Sequence, residues 1–168
     1  MELWDIYDAG RAKTGRLHQR GLPLMPGEYH LIIDVCTVAR GRLLLTRRHP
    51  DKHWGGMWEC TGGAVQAGED TLTAARRELR EETGIPARPE ELIRLGTVRG
   101  HNYFCDSYLV RRDSAVGELR LQAEEVVESR WVTLREFDQL CAGGRVVPSA
   151  EERFRRYQTV IAASMSRE

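Results

Sequence analysis

Three glutamates, Glu78, Glu81 and Glu82, lie in the run RRELREETGI at i,i+3 and i,i+4 spacing. On a helix that spacing gathers them on one face. Exposed like charges so placed repel by about a few tenths of a kcal/mol per pair, and a helix shaped by stability alone would intersperse the signs. A hard divalent cation gives a reason to gather them. Mg²⁺ takes oxygen ligands, usually one or two carboxylates completed by water and substrate phosphate. Arg77, four residues before Glu81, can hold that side chain in place. The bland reading of the same residues is a solvated helix laced with Glu–Arg pairs, since Arg76 and Arg80 stand in the run as well.

The element that must position these groups spans residues 63–85, GAVQAGEDTLTAARRELREETGI. It reads as a glycine-bearing loop followed by a helix over residues 70–83. Asp70 or Thr71 starts the helix, and Gly84 followed by Pro86 stops it. Leu72, Ala75 and Leu79 form an apolar stripe beside the acidic edge. The helix is therefore expected to pack on one side and present carboxylates along the other.

Gly63, then Glu69 after five residues, then Arg77-Glu78-Leu79-Arg80-Glu81-Glu82-Thr83-Gly84-Ile85 after seven more, resembles the signature of the Nudix hydrolase superfamily at every defined position. A chance match in a chain this long has odds on the order of 10⁻⁷ from average residue usage. The similarity extends over residues 3–137. It implies an α+β Nudix fold, an α/β/α sandwich around a mixed β-sheet. It also implies a metal-dependent pyrophosphohydrolase that splits a diphosphate linkage in a nucleoside diphosphate derivative or nucleotide. By that resemblance Glu78, Glu81 and Glu82 match metal-binding carboxylates, with Mg²⁺ the expected cofactor and Mn²⁺ an alternative. The Gly63 carbonyl matches a backbone ligand, and Glu69 a residue that supports the loop, with Glu81, Arg77 and Glu69 counted among the catalytic groups. The general base lies outside the signature. Of Glu124, Glu125 and Glu128 in AEEVVESRW, Glu125, six before Trp131, has the spacing the resemblance favours.

Composition bounds the rest. The 168 residues suit one domain with a full core, at 41% hydrophobic and 30% charged. Within it, residues 1–28 read as N-terminal strands and a connector, 29–141 as the core and 142–168 as a C-terminal helix. The 25 basic and 25 acidic residues cancel, so no global field draws the chain to nucleic acid or an anionic membrane. No apolar run approaches the roughly 20 residues of a spanning helix. The start, MELWDIYDAG, lacks the basic-then-apolar layout of a signal peptide, so a cytoplasmic location is expected. Cys36, Cys60, Cys105 and Cys141 are widely separated, which disfavours a disulfide framework or zinc site. Cys36 and Cys105 read as small core residues.

Along the chain, residues 3–7 read as a strand, 8–10 as a turn and 14–17 as its return, with a Pro/Gly connector over 21–27. Residues 29–39 are a β-rich run expected to be largely buried, turned at Arg40-Gly41 into a partner over 42–47. A loop over 49–56 leads to a short strand over 57–61. Strands are expected at 92–98, 103–111 and 126–132, with a polar irregular segment over 113–123. A helix over 134–140 is capped by Thr133, and an amphipathic helix over 149–163 carries Phe154, Tyr157 and Ile161 before a fraying tail, SMSRE.

Around the acidic edge, Arg47 and Arg48 end a strand and point to opposite faces, and Lys52 and His53 follow. Arg48 and Lys52 are the candidate phosphate-binding cations. Trp54, Met57, Trp58, Tyr103 and Phe104 could line a base or isoprenoid pocket or pack in the core, and Trp58 is the leading substrate-binding aromatic. The run LLLTRRHPDKHWGGMWECTGGAVQAGED is also similar to isopentenyl-diphosphate isomerase, a subgroup of different chemistry. Arg48, Lys52 and His30 match its diphosphate grip and one metal histidine. Its essential cysteine position holds Gly62, a second metal histidine is replaced by Ala64, Cys60 is two residues off register, and its glutamate falls near Tyr103. A Nudix-fold ligand sensor without turnover is a third class. Partners are expected to be a small phosphorylated molecule, drawn from nucleoside di- and triphosphates, oxidised nucleotides, nucleotide sugars and coenzymes. A homodimer contact through the amino-terminal strands and C-terminal helix is a further expectation.

Overall fold

A computed structural model describes residues 1–112 and 119–166. A hairpin opens the chain, β1 (Leu3–Tyr7) with β2 (Lys13–Gln19). The main sheet contains β3 (His30–Ala39), β4 (Arg42–Arg48), β5 (Trp58–Glu59), β6 (Thr61–Ala64), β7 (Leu92–Arg99), β8 (Tyr103–Arg111) and β9 (Val126–Val132). Among the described residues three α-helices complete it, α1 (Thr71–Thr83), α2 (Leu134–Ala142) and α3 (Pro148–Met165), with one 3-10 turn at Pro89–Glu91 before β7. The sheet is mixed. β3 and β8 pair in parallel, and the pairs β3–β4, β3–β6, β4–β5, β4–β9 and β7–β8 are antiparallel.

β3 reads HLIIDVCTVA because helices cover both of its faces, and a strand buried on both sides needs a near-continuous apolar run. On one face Leu31, Ile33 and Val35 pack with Ala74, Ala75 and Leu79 of α1. On the other, Cys36 and Val38 join Leu43, Leu45, Phe137, Phe154 and Ile161 under α2 and α3. Each fully buried large side chain contributes about 1.5–3 kcal/mol, so the first core holds α1 against the sheet far more firmly than propensity would, and the second does the same for α2 and α3. Asp34, the one charge within β3, is buried against Arg153 of α3.

The expected elements are present, with two differences. The strand expected over 57–61 is two short strands broken at Cys60, where the chain leaves β4 and pairs with β3. The last helix continues past residue 163 because Met165 is buried in the second core. Of the expected irregular segment, residues 113–118 lie outside the described residues, as do 167 and 168 of the tail.

The hairpin is tied to the sheet by reciprocal backbone bonds between Tyr7 and Tyr29, 2.8 and 2.9 Å, and by Asp106 of β8. This carboxylate is buried and accepts a two-pronged grip from Arg11 in the hairpin turn, 2.8 and 2.6 Å. It also accepts from Thr97 and Arg94 of β7 at 2.6 and 3.0 Å, and from Thr71 at the start of α1 at 2.8 Å. Burial alone would raise its pKa. The bonds from Arg11, Thr97, Arg94 and Thr71 outweigh burial and hold it well below the ordinary carboxylate range. A depressed folded pKa gives stability that is present above the unfolded value of about 4 and lost as pH falls through the folded one. Asp106→Asn is therefore expected to cost about 2–3 kcal/mol at pH 7. The gap from wild type should narrow steadily below about pH 4 in urea melts taken across pH; a gap that stays constant would refute this role.

Candidate active site

α1 begins where Asp70 accepts the Thr73 N–H at 2.7 Å and ends where Gly84, at φ 76°, sends its N–H to Arg80 O. Only glycine adopts that φ freely. Between these caps Leu79, Ala74 and Ala75 are buried, and Glu78, Glu81 and Glu82 line a polar cleft of about 270 Å³. Its walls also include Glu2, Arg20, Arg48, Lys52, Glu59, Gly62, Gln66, Arg77, Gln122 and Glu125.

Arg77 is the centre of the cleft. Its Nε and Nη2 donate to the two oxygens of Glu69 at 2.9 and 3.0 Å, and Nη2 donates to Ala64 O at 3.0 Å. Its Nη1 donates to Glu78 at 2.8 Å and to Glu81 at 3.1 Å. One guanidinium thus joins the glycine loop, the supporting glutamate and two edge carboxylates. Burial pushes the Glu69 carboxyl up, but the Arg77 and Gln66 donors outweigh it and lower its pKa. Glu78 goes the other way: burial raises it, and Arg77 does not fully restore it.

Glu82 is only 5% exposed. Burial, then repulsion from Glu59 and Glu78, pushes its carboxyl well above the usual range, against the pull of Lys52 and the Gly62 N–H. Glu59 is likewise raised by burial despite its ion pair with Arg48. The sequence reading did not select Glu59. The signal was strand alternation: Trp58 and Glu59 must face opposite ways in β5, so burying one in the core turns the other toward the cleft. Glu2 and Arg20 were missed as well.

Of the three candidate bases, Glu125 alone lines the cleft, where it pairs with Lys52. Its backbone carbonyl accepts from His49 and its N–H donates to Gln122 O, each at 2.9 Å, which fixes the segment. Glu128 turns away to pair with Arg47, and Glu124 is exposed. Arg47 and Arg48 do point apart, and Arg48 is the one in the cleft. Trp58 does not reach it. It is 2% exposed in the second core because the β4–β5 pairing turns it inward. Phe104 is in the first core, Trp54 is on the surface, and among the described residues no aromatic lines the cleft. His30 stacks on Trp4 with ring centroids 4.1 Å apart and 9° between planes. Burial, then His18 and Arg20, lowers its pKa to about 4.

Among the described residues, no three His, Cys, Asp or Glu side chains already stand in an ion-holding arrangement. Arg77, Lys52 and Arg48 occupy several of the oxygens instead. The donor set still fits a hard cation, being all carboxylate with a backbone carbonyl nearby. Gly63 supplies a second sign of fit. A Cβ there would stand 2.1 Å from Glu78 Oε1, so only glycine lets that carboxylate lie over the loop.

An α+β sandwich that sets a carboxylate-edged helix and a glycine loop around a small cleft lined by both carboxylates and cations is the architecture of an enzyme acting on phosphate anhydrides. The chain belongs to the Nudix hydrolases: the NUDIX domain family matches residues 28–151. An uncharacterized Nudix hydrolase of Listeria monocytogenes is 38% identical over 157 residues, covering 88% of this chain and 89% of that one. The crystal structure of DR0079 from Deinococcus radiodurans superposes with a TM-score of 0.77 at 23% identity, over 93% of this chain and 99% of that one. A bifunctional NMN adenylyltransferase/ADP ribose pyrophosphatase of Francisella tularensis, complexed with AMP and a manganese ion, gives 0.67 at 18% identity, over 83% and 43%. These two structures agree in fold.

Gly63→Ala tests the packing of loop against carboxylate. The added methyl must displace Glu78, so turnover should fall about 10-fold or more while melting shifts by only about 1–3 kcal/mol, the usual cost of overpacking. Steady-state assays beside thermal melts read both, and an unaltered rate would refute the close fit.

Proposed function

We propose that this chain is a Mg²⁺-dependent hydrolase, Mn²⁺ serving as well, that cleaves the diphosphate linkage of a nucleotide or nucleoside diphosphate derivative. The observation that carries the reading is Glu82, a buried carboxylate that feels the charges of Glu59 and Glu78 and has no ion-pair partner of its own among the described residues. Burying such a charge costs stability unless a cation compensates it. A bound divalent ion would neutralise phosphate oxygens and acidify the attacking water.

In this reading Glu78, Glu81, Glu82 and the Gly63 carbonyl hold the ion. Arg77, clamped by Glu69, keeps Glu78 and Glu81 at the edge of the cleft. Glu125 accepts the proton of the attacking water as the bridging P–O bond breaks and the second phosphate departs. Arg48 and Lys52 bind phosphate oxygens, each steadied by its own glutamate. The AMP and manganese bound by the Francisella tularensis enzyme agree with a nucleotide substrate and a divalent ion.

The isomerase-like subgroup draws support from Arg48 and Lys52 in the cleft. Its acid–base chemistry draws none. Cys60 lies against Cys36, 3.6 Å between sulfurs, beside the second core, and His30 is stacked under Trp4 outside the cleft. Moving a double bond needs an acid and a base on opposite faces of the alkene, and the groups at this cleft suit water activation instead.

The test is a panel of nucleoside di- and triphosphates, nucleotide sugars and coenzymes with Mg²⁺, run on wild type and Glu82→Gln. Phosphate-bond cleavage by wild type should drop at least about 100-fold in the variant, beyond the cost of losing an outer-shell partner, with the fold retained by circular dichroism. Saturable binding without turnover, double-bond migration, or an equally active variant would each defeat the proposal.

A further inference from the structure

The cleft's lining includes two residues that precede the segment matched by the family, Glu2 and Arg20. They face each other across the open end of the β1–β2 hairpin. The Arg20 N–H donates to Glu2 O at 3.0 Å, and Arg20 Nη1 donates to Glu2 Oε2 at 2.7 Å. The other carboxylate oxygen, Oε1, accepts Trp4 Nε1 at 2.9 Å. Trp4 is in turn stacked on His30 of β3. A chain of contacts therefore runs from the main sheet through Trp4 and Glu2 to Arg20 and fixes an arginine at the cleft.

Arg20 repeats a pattern seen at the other two cations of that wall. Arg48 is paired with Glu59 and Lys52 with Glu125, and Arg20 is paired with Glu2. Each cation has one glutamate that orients it. Only Nη1 of the Arg20 side chain has a partner among the described residues. Its Nε and Nη2 donors are free for a planar, two-pronged grip on phosphate. Among the described residues no aliphatic or aromatic side chain lines the cleft, so it suits phosphates better than the organic part of a substrate.

We infer that the N-terminal hairpin is part of the substrate site, with Arg20 binding a phosphate oxygen of the diphosphate and Glu2 and Trp4 acting as its positioning residues. The inference rests on the hydrolase reading for the identity of the anion, and its test does not depend on turnover. Binding of inorganic pyrophosphate to the full chain in Mg²⁺ is measured by calorimetry for wild type, Arg20→Ala and Arg20→Lys, with thermal melts alongside. R20A should bind roughly tenfold more weakly or worse, the size of one lost charge-assisted hydrogen bond. R20K, which keeps the charge without the fork, should fall between. In turnover, KM should rise in R20A while kcat stays within about twofold, as for loss of uniform binding.

Wild-type affinity in R20A, or a fall in kcat with pyrophosphate affinity unchanged, overturns the inference. Should R20A melt early, R20K decides: weaker pyrophosphate binding supports the grip, and unchanged binding overturns it. If wild type cleaves no diphosphate but R20A still weakens pyrophosphate binding, the hydrolase reading fails and the hairpin's role stands. If Glu82→Gln abolishes cleavage while R20A binds as wild type, the reverse holds.

Discussion

The guanidinium of Arg77 is the constraint on which the cleft's geometry depends. Its donors reach both oxygens of Glu69, the carbonyl of Ala64, and the carboxylates of Glu78 and Glu81. A lysine could not make those contacts together, because they exploit a planar fork with several donors. The arrangement fixes the glycine loop to the helix and lets two like charges share one nitrogen of one cation. The acidic neighbours also raise Arg77's own pKa, so it stays charged at every accessible pH. The helix edge can be acidic because an arginine in the same run compensates it.

That compensation is incomplete. Six carboxylates and four cations line the cleft, and Glu82 is the most buried of those carboxylates. Holding a charge there opposes folding, and the protein sustains it because two apolar cores, one on each face of β3, supply the stability. Leu79 and Glu82 make the division of labour concrete. They are three residues apart on α1, one at 0% exposure in the first core and the other at 5% against the cleft. A single helix both anchors the sandwich and carries its least comfortable charge.

How much of this was legible in the sequence depended on how local the information was. α1 could be bounded almost to the residue because its caps, Asp70 and Gly84, and its two faces lie within one contiguous run. Glu125, which the family resemblance favours by its offset of six from Trp131, lies at the cleft. Trp58 was misjudged because an aromatic beside a glycine-rich loop suits a pocket or a core equally well. Only the register of β5 on β4, set by residues on another strand, decides which way it turns. The same register hid Glu59. Glu2 and Arg20 lay further out of reach: their mutual pairing follows from the hairpin, but their place at the cleft depends on contacts such as Tyr7 with Tyr29 and Trp4 with His30. Those join segments that no local pattern connects.

Hairpin and glycine loop are, moreover, one mechanical unit. Leu3 O accepts the Ala67 N–H at 2.8 Å, and Asp5 accepts the Gly68 N–H at 2.8 Å. Both donors belong to the turn between Gly63 and Glu69, the segment that brings Glu69 to Arg77. Asp106 closes the circuit by holding Arg11 of the hairpin turn and Thr71 of the first helical turn on one carboxylate. A displacement of the hairpin would therefore strain the support of Arg77 from one side and the start of α1 from the other. Although the family match begins at residue 28, the acidic edge is held in place in part by the residues that come before it.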